Sequence, residues 1–469
     1  MQAFFVPETK SGVSRKWTCF GWVLLGWLGV VASSQAGMVP IFGTNEQTGL
    51  HRALGRLNMS EQDAGFDKDV AKPLWALDWV RATLRDPLRL PREGDRLLQA
   101  AESGGADDIW RLAGDMFEAG TGTVSVAGAD ASFASSNALS PHLTGYLREF
   151  VDRARQADDA LKAALAGLTP EEKRYVAAVC LSGIFNAEDR AGVRTAMTAA
   201  GIASQDVQRV IAEGVELDPE PTTTNFLATL RRVNVADIVS AGRTFLDAVR
   251  RVARQSATVT EWPASPVTID TVAGPVVVGT MNDDVYAASA LLILDPGGND
   301  LYGGSAGAAN GLTGRPLAAI ADLAGRDRYE GGGILGAGSA LFGLAVLFDG
   351  AGDDRYQADF MGQGAAIVGA AWLDDRSGDD TYKAWAHAQG AATMGVGVLE
   401  DADGDDVYEI GLSGQGYASV RGFGLLLDRH GNDRYLAGNR EPDWDRSEDR
   451  FLSLRENVTT IWKHYMQTL

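Results

Sequence analysis

Six copies of one acidic motif place twelve aspartates at regular spacing in the second half of this chain. The motif is D-x-x-G-x-D-x-Y, and all six copies keep its four named positions. We call its two acids the leading and the trailing aspartate. The leading aspartates are Asp295, Asp322, Asp349, Asp375, Asp401 and Asp428, and the trailing aspartates are Asp300, Asp327, Asp354, Asp380, Asp406 and Asp433. Carboxylate oxygens are ligands that Ca²⁺ prefers, so all twelve are candidate metal ligands.

The motif recurs every 26 or 27 residues, counted from tyrosine to tyrosine. A fixed period of this length is typical of stacked repeat architectures. Each repeat contains a strand, a turn, a second strand and a corner of small residues, with Gln363-Gly364, Gln389-Gly390 and Gln415-Gly416 at successive corners. The pattern predicts a parallel β-solenoid of about six to seven coils over residues 291–438. We expect its tyrosines in one inward-facing column and the corner glutamines bonded along the stack.

Stacking such coils brings the equivalent aspartates of neighbouring coils within about 4.8 Å of one another. Two unscreened carboxylates at that distance repel by roughly 1 kcal/mol in water and by more in a drier groove. A cation between successive turns, held by carboxylates and backbone carbonyls, would offset this repulsion. We therefore predict Ca²⁺ sites, strongest in the middle of the stack, where Asp353, Asp379, Asp403 and Asp405 add negative charge.

The same residues have a second interpretation that needs no metal. D-x-x-G is a good type I turn, because the aspartate bonds back to the backbone and glycine suits the fourth position. On this interpretation the aspartates only form turns. The sequence leaves both interpretations open.

The turn resembles half of the calcium-binding nonapeptide of repeat-in-toxin β-rolls, G-G-x-G-x-D-x-apolar. Gly352, Asp354 and Tyr356 match its last three fixed positions, and Gly350 matches its second glycine. The other copies keep the last glycine, the aspartate and the bulky residue but lack the second glycine. All six copies begin with aspartate where the nonapeptide has glycine. The period also differs, since this chain has one turn per 26 or 27 residues and no tandem nonapeptides. The resemblance implies calcium held between adjacent turns.

The chain as a whole predicts an α+β protein with five segments. They are a signal peptide at 1–36, an all-α helical domain at 45–256, a β cap at 267–290, the solenoid at 291–438 and a C-terminal capping helix at 439–469. The cap contains a hairpin and a degraded motif copy, NDDVY, that ends at Tyr286. The last segment carries an apolar stripe at helical spacing, and we expect it to cover the open edge of the last coil.

In the helical domain, Thr169–Glu172 is a capping box that predicts a helix start. Further helices are expected at 187–200, 204–214 and 226–253. Cys180 lies in an apolar helical pattern and is interpreted as an inert core thiol. His51 and His142 are isolated and have no second metal ligand at helical spacing.

Export is expected because basic residues precede the short apolar run Trp17–Ala32, and Ser34-Gln35-Ala36 offers a cleavage site. The protein would then lie in the periplasm, at the cell surface or outside the cell. An uncleaved segment would instead anchor it to the membrane.

The predicted function is that of a non-enzymatic binding or structural protein with an acidic, calcium-stabilised solenoid. The alternative is a carbohydrate-active enzyme, a polysaccharide lyase or hydrolase, which rests on fold analogy. Catalytic residues would break the repeat, and Trp385, His387 and Arg421 are its irregular positions. The predicted partners are a polysaccharide or another envelope or extracellular protein. The formal charge of −20 opposes a nucleic-acid partner.

Overall fold

The computed structural model describes residues 105–117, 138–184, 228–331 and 333–438, with short pieces at 51–52, 54–56, 94–96, 99, 197–198, 200–202 and 226. Within this part of the chain, helices precede strands. The α-helices are α1 (Ala106–Met116), α2 (Pro141–Ala164), α3 (Pro170–Ile184) and α4 (Val235–Ser256). A 3₁₀ turn lies at Gly311–Thr313.

The strands form two sheets that face each other across the solenoid. Sheet 1 contains β1 (Val267–Ile269), β2 (Val276–Val278), β4 (Leu292–Asp295), β6 (Ala308–Asn310), β7 (Leu317–Asp322), β9 (Ser339–Leu341), β10 (Leu344–Phe348), β12 (Ala365–Asp375), β14 (Ala392–Asp401) and β16 (Ala418–Asp428). Sheet 2 contains β3 (Val285–Tyr286), β5 (Leu301–Gly303), β8 (Arg328–Gly331), β11 (Arg355–Gly362), β13 (Thr381–Ala388), β15 (Val407–Leu412) and β17 (Arg434–Ala437).

Pairing between coils is parallel and in register with the sequence repeat. In sheet 2, Tyr382 lies opposite Tyr356 on one side and Tyr408 on the other. In sheet 1, Asp401 lies opposite Asp375 and Asp428. The expected solenoid, with one repeat per coil, is confirmed. The β1–β2 pair is antiparallel, as the predicted hairpin requires. The last two residues of NDDVY form β3, the first strand of sheet 2.

The solenoid interior is narrow and apolar. The tyrosine rings stack at centroid distances of 4.6 to 5.0 Å along the column. They share a buried core with one aliphatic residue from each of six strands of sheet 1, β4, β7, β10, β12, β14 and β16. These residues are Ile293, Ile320, Leu347, Leu373, Leu399 and Leu426. Each such side chain contributes roughly 1.5–3 kcal/mol by leaving water. The inward tyrosine column is therefore confirmed.

At the glutamine corners, the chain changes direction through residues in the left-handed backbone conformation. Gln363 and Gln389 have φ of 54° and 53°, and the glycine after each is also left-handed. The Gln389 amide donates to the carbonyl of Tyr382 in its own coil at 3.1 Å and to that of Glu409 in the next at 3.0 Å. The glutamines do bond along the stack, but to backbone carbonyls and not to each other.

Helix α4 lies on sheet 1 and contacts β7, β10, β12 and β14. Asn234 caps its start by accepting from the Ala236 and Asp237 amides at 3.1 and 3.4 Å. The expected continuous helix over 226–253 is wrong, because a turn at 231–233 interrupts it before this cap. The capping box is confirmed, with the Thr169 amide donating to Glu172 at 2.9 Å and the Glu172 amide to Thr169 Oγ1 at 3.2 Å.

A buried ion cluster joins α4 to the solenoid. Arg250 donates from Nε to Asp374 Oδ2 at 2.5 Å and from Nη2 to Glu400 Oε2 at 2.8 Å. Arg429 Nη2 pairs with the other oxygen of Glu400, Oε1, at 2.7 Å. Arg376 pairs with Asp374. These two adjacent carboxylates outside the motif are thus enclosed by three arginines.

Several predicted segments fall outside the described residues. They are the signal peptide at 1–36, the helix at 204–214, most of the helix at 187–200 and the capping helix at 439–469. Cys180 is described, and desolvation raises the pKa of its thiol to about 12, which suits an inert thiol.

Candidate metal centre

Four of the leading aspartates bond back to the backbone, as the turn interpretation expects. Asp295 Oδ1 accepts from the Gly297 amide at 2.8 Å, and Asp349 Oδ1 accepts from the Ala351 amide at 3.1 Å. The same bond to the residue two positions later occurs at Asp322 (3.1 Å) and Asp401 (3.3 Å). Turn formation therefore accounts for one oxygen of these carboxylates.

Their second oxygen binds the tyrosine of the preceding coil. Tyr302 donates to Asp322 Oδ2 at 2.5 Å, and Tyr356 donates to Asp375 Oδ2 at 2.6 Å. Tyr329–Asp349 and Tyr382–Asp401 repeat this bond at 2.5 and 2.7 Å. In the last coil, where no further coil follows in the described residues, Tyr435 donates to Asp428 of its own coil at 2.7 Å. Tyr408 also departs from the pattern and donates to Asp406 Oδ2 of its own coil at 3.5 Å. Each buried phenol thus has a partner, and most leading carboxylates link neighbouring coils.

The trailing aspartates have a different role, which the motif alone does not reveal. The Asp354 amide donates to Asp380 Oδ1 one coil later at 2.6 Å, and the Asp380 amide donates to Asp406 Oδ1 at 2.8 Å. The same bond links all successive trailing aspartates, beginning with the Asp284 amide and Asp300 Oδ1 at 2.5 Å and ending at Asp433. These bonds cross between coils and do not form turns.

In four of the trailing carboxylates the other oxygen is buried and has no hydrogen-bond partner within the described structure. This holds for Oδ2 of Asp300, Asp327, Asp354 and Asp380. The residues are only 1 to 3% exposed. An unsatisfied buried acceptor costs roughly 1–3 kcal/mol and more when it is charged. Turn chemistry leaves these four oxygens unexplained.

The aspartates that carry these oxygens lie among other carboxylates. A trailing aspartate, together with the leading and trailing aspartates of the next coil, places its ligand atoms within 4.8 Å of one another. The groups include Asp300–Asp322–Asp327, Asp327–Asp349–Asp354, Asp354–Asp375–Asp380 and Asp380–Asp401–Asp406. Ca²⁺ binds oxygen at about 2.3–2.6 Å, so two ligands on opposite sides of one ion lie about 4.6–5.2 Å apart. The spacing therefore fits this ion.

Neighbouring groups share ligands, and this sets the charge balance. Asp354, for example, belongs both to the group with Asp349 and to the group with Asp375. Each interface between coils therefore contributes two carboxylates, one leading and one trailing. One divalent cation per interface would neutralise them.

The first group contains a residue that the sequence interpretation left out of the metal site. Asp284 joins Asp295 and Asp300. The signal was present in the degraded copy NDDVY, which keeps the trailing aspartate but has Gly279 in place of the leading one.

Burial raises the pKa values of these carboxyl groups. Desolvation raises the pKa of Asp354 to about 7, that of Asp295 to about 8 and that of Asp406 to about 9. It raises the pKa of Asp327 to about 6. Without a cation, several of these groups hold protons at neutral pH, so protons and a metal compete for the same oxygens.

The motif glycine allows the coils to approach this closely. A Cβ at Gly378 would lie 1.4 Å from the Gly352 carbonyl oxygen, and one at Gly404 would lie 1.7 Å from that of Gly378. Any side chain there would push the turns apart and open the carboxylate groups.

The extra acidic residues in the middle of the stack lie outside these groups. Asp353, Asp379 and Asp405 are exposed. Asp353 Oδ1 accepts from the Asp379 amide at 3.2 Å, and Asp379 Oδ1 accepts from the Asp405 amide at 2.9 Å. They form a third, solvated column that adds negative charge near the buried one.

The irregular positions of the repeat lie within strands β13 and β16. His387 is fully buried, and desolvation lowers its pKa to about 4, so its ring is neutral. The Trp385 ring lies over Gly411 of the next coil. Arg421 occupies a left-handed corner with φ of 51°.

Comparisons with protein-family models, with curated proteins and with solved structures find no match to this chain. Among the helices that the structure describes, none is both long enough and apolar enough to cross a membrane.

Proposed function

We propose that this chain is an exported structural or binding protein whose solenoid is stabilised by Ca²⁺ held between successive coils. The observation that carries the proposal is the row of buried trailing carboxylate oxygens without partners, each within reach of two further carboxylates. The resemblance of the turn to repeat-in-toxin nonapeptides supports the same ion. The repeated and mutually bonded aspartates support a structural role.

The residues that would hold the ion are the trailing aspartates through Oδ2 and the leading aspartates through Oδ2. Backbone carbonyls and water would complete the six to eight oxygens that Ca²⁺ takes. Binding to the folded state alone would add stability of RT ln(1 + [Ca²⁺]/Kd), about 2.7 kcal/mol per site at a hundredfold excess over Kd.

Calorimetric titration of the mature chain with Ca²⁺, alongside thermal melts in Ca²⁺ and in chelator, tests this proposal. The variant Asp380→Asn keeps the Oδ1 that accepts the Asp354 amide but removes a charge shared by two groups. We expect it to lose up to two sites and part of the calcium-dependent stability. The matched control Asp353→Asn removes the same charge from the exposed column and should bind like the wild type.

Equal melting curves with calcium and with chelator, at constant ionic strength, would end the calcium proposal and leave the aspartates as turn and ladder formers. Loss of calcium binding in both variants to the same extent would assign the effect to net charge.

Export is the second part of the proposal. The mature protein should begin near Gly37, which follows the small-x-small site. N-terminal sequencing of the protein from its native cells checks this, and a cytoplasmic protein that retains Met1 would contradict it. A polysaccharide or an envelope protein stays the proposed partner, and the carbohydrate-active alternative stays a prediction.

A further inference from the structure

The first carboxylate group differs from the groups that follow it in its exposure to solvent. It contains Asp284, Asp295 and Asp300. Asp284 is half-buried, whereas the aspartates of the next four groups are all buried. The first group also holds one of the buried oxygens without a partner, Oδ2 of Asp300. It therefore shares the feature that marks the metal sites, but one of its three residues is in contact with water.

The hydrogen bonds of Asp284 leave one of its oxygens available. Oδ2 accepts from the Thr280 amide at 2.8 Å and from the Tyr286 hydroxyl at 3.4 Å. Oδ1 accepts no hydrogen bond from the described residues. In later coils that oxygen accepts from the amide of the trailing aspartate one coil earlier, as Asp327 Oδ1 does from Asp300 at 2.5 Å. No copy of the motif precedes Asp284, so its Oδ1 can bind a cation without losing such a bond.

The interior groups are closed by the coils on both sides. The trailing aspartates that they share are only 1 to 3% exposed. The Gly352 amide donates to the Ser377 carbonyl of the next turn at 2.9 Å, and the Gly378 amide donates to Asp403 in the same way at 3.0 Å. An ion can leave such a group only when two turns separate, which requires local opening of the fold. An ion in the first group can leave past Asp284 while the coils stay together.

Charge also favours the entry of cations at the first coil. The chain has no lysine or arginine from 255 to 314, and this stretch contains six aspartates and glutamates. The exposed Asp283 directly precedes Asp284. The next motif copies, by contrast, include Arg326, Arg328, Arg355 and Arg376. Negative charge without neighbouring basic side chains raises the local concentration of cations.

We propose that the first group is an exchangeable cation site, open to solvent, at the head of a row of closed sites. This inference rests on the proposed binding of Ca²⁺ and adds that the sites differ in their kinetics. The first site gains and loses its ion as the concentration of free Ca²⁺ changes. The interior ions remain bound and hold the coils together. The solenoid then combines one responsive site with several structural ones.

Stopped-flow mixing of the calcium-loaded full chain with an excess of a fluorescent chelator tests this proposal. We expect two phases of release, the first at least about tenfold faster, a factor that corresponds to about 1.4 kcal/mol of opening free energy. Asp284→Asn keeps an acceptor for the Thr280 amide but removes a charge from the first group. It should reduce the fast phase by one ion and leave the slow phase unchanged. The unchanged slow phase also shows that the fold is kept.

Two matched variants remove the same charge elsewhere. Asp283→Asn changes the exposed neighbour and should keep both phases. Asp380→Asn changes an interior aspartate that two groups share, and it should reduce the slow phase alone.

Release of all ions at a single rate would overturn this inference and leave the calcium proposal standing, whereas the absence of bound Ca²⁺ would end both. A fast phase that survives in Asp284→Asn, or that Asp283→Asn removes to the same extent, would also overturn it. Loss of both phases in Asp284→Asn would overturn the distinction between the sites and assign that residue to the stability of the whole stack.

Discussion

At the residue scale, one motif supplies two chemically different aspartates. Four leading carboxylates, those of Asp295, Asp322, Asp349 and Asp401, are satisfied on both oxygens, by a turn amide and by a tyrosine of the preceding coil. Asp375 differs, because its Oδ1 is buried and has no hydrogen-bond partner in the described structure. Four trailing carboxylates are satisfied on one oxygen only. A metal therefore matters most to the trailing residue, and the substitutions that distinguish metal binding from turn formation belong there.

The bond between tyrosine and leading aspartate should contribute to stability in its own right. Tyr356→Phe removes the shorter of two hydrogen bonds to the buried Asp375 Oδ2, which then keeps only the Tyr382 hydroxyl at 3.0 Å. We expect the free energy of unfolding to fall by about 1–3 kcal/mol, measured by denaturant titration. An unchanged midpoint would show that the phenol hydroxyl is not needed by that carboxylate.

The motif glycine gives a sharper prediction. Gly378→Ala would place a Cβ 1.4 Å from the Gly352 carbonyl oxygen, so the coils must shift. We expect a loss of about 3 kcal/mol or more in the free energy of unfolding, since overpacking costs roughly 1–3 kcal/mol even in milder cases. As a control, Gly145→Ala in α2 meets nothing within 4 Å and should stabilise by up to about 1 kcal/mol. Similar effects of both substitutions would contradict the close approach of the turns.

At the scale of elements, α4 is held on sheet 1 by apolar packing and by the buried cluster around Arg250. Trp110 of α1 packs on Trp372 of β12 at a ring distance of 5.4 Å, and Arg250 lies over the same Trp372 ring. Asp374 and Glu400 therefore serve as the anchor of the helices on the solenoid.

Removing Arg250 should weaken the attachment of α4 to the solenoid. Arg250→Met leaves two buried carboxylates with less positive charge, and breaking a buried pair costs about 3–5 kcal/mol. Denaturant unfolding followed by circular dichroism measures the loss. The neighbouring Arg251→Met removes a more exposed pair with Glu149 and should cost no more than about 1 kcal/mol. Equal losses would mean that the buried cluster has no special role.

At the scale of the whole molecule, stability should depend on pH and calcium together. An aspartate whose folded pKa lies above its unfolded value of about 3.9 stabilises the fold at low pH. That contribution is lost as pH rises through the folded pKa, which is about 6 for Asp327, about 7 for Asp354 and about 8 for Asp295. In chelator, the melting temperature should therefore fall as pH rises from about 5 to about 9.

Calcium should remove this decline, because the cation replaces the protons on the same oxygens. Melts at matched ionic strength across this pH range, with calcium and with chelator, check the prediction. A melting temperature in chelator that rises with pH would contradict the burial of uncompensated carboxylates.

The sequence by itself determined the solenoid, its coil boundaries and the tyrosine column, and it offered turn formation as one of two interpretations of the aspartates. The reason is that a strict repeat places equivalent residues of successive coils in register, so a local pattern also predicts the contacts between neighbouring coils. The capping box at Thr169 and the hairpin at 267–280 were equally readable, because both depend on residues close in the chain.

Only the tertiary structure separated the trailing from the leading aspartates and added Asp284 to the carboxylate groups. Both results depend on which atoms of one coil meet those of the next, which spacing along the chain does not encode. The same holds for Arg250, whose partners Asp374 and Glu400 lie 124 and 150 residues away. The break before Val235 was missed because Asn234 ends one helical pattern and caps another with similar apolar spacing on both sides.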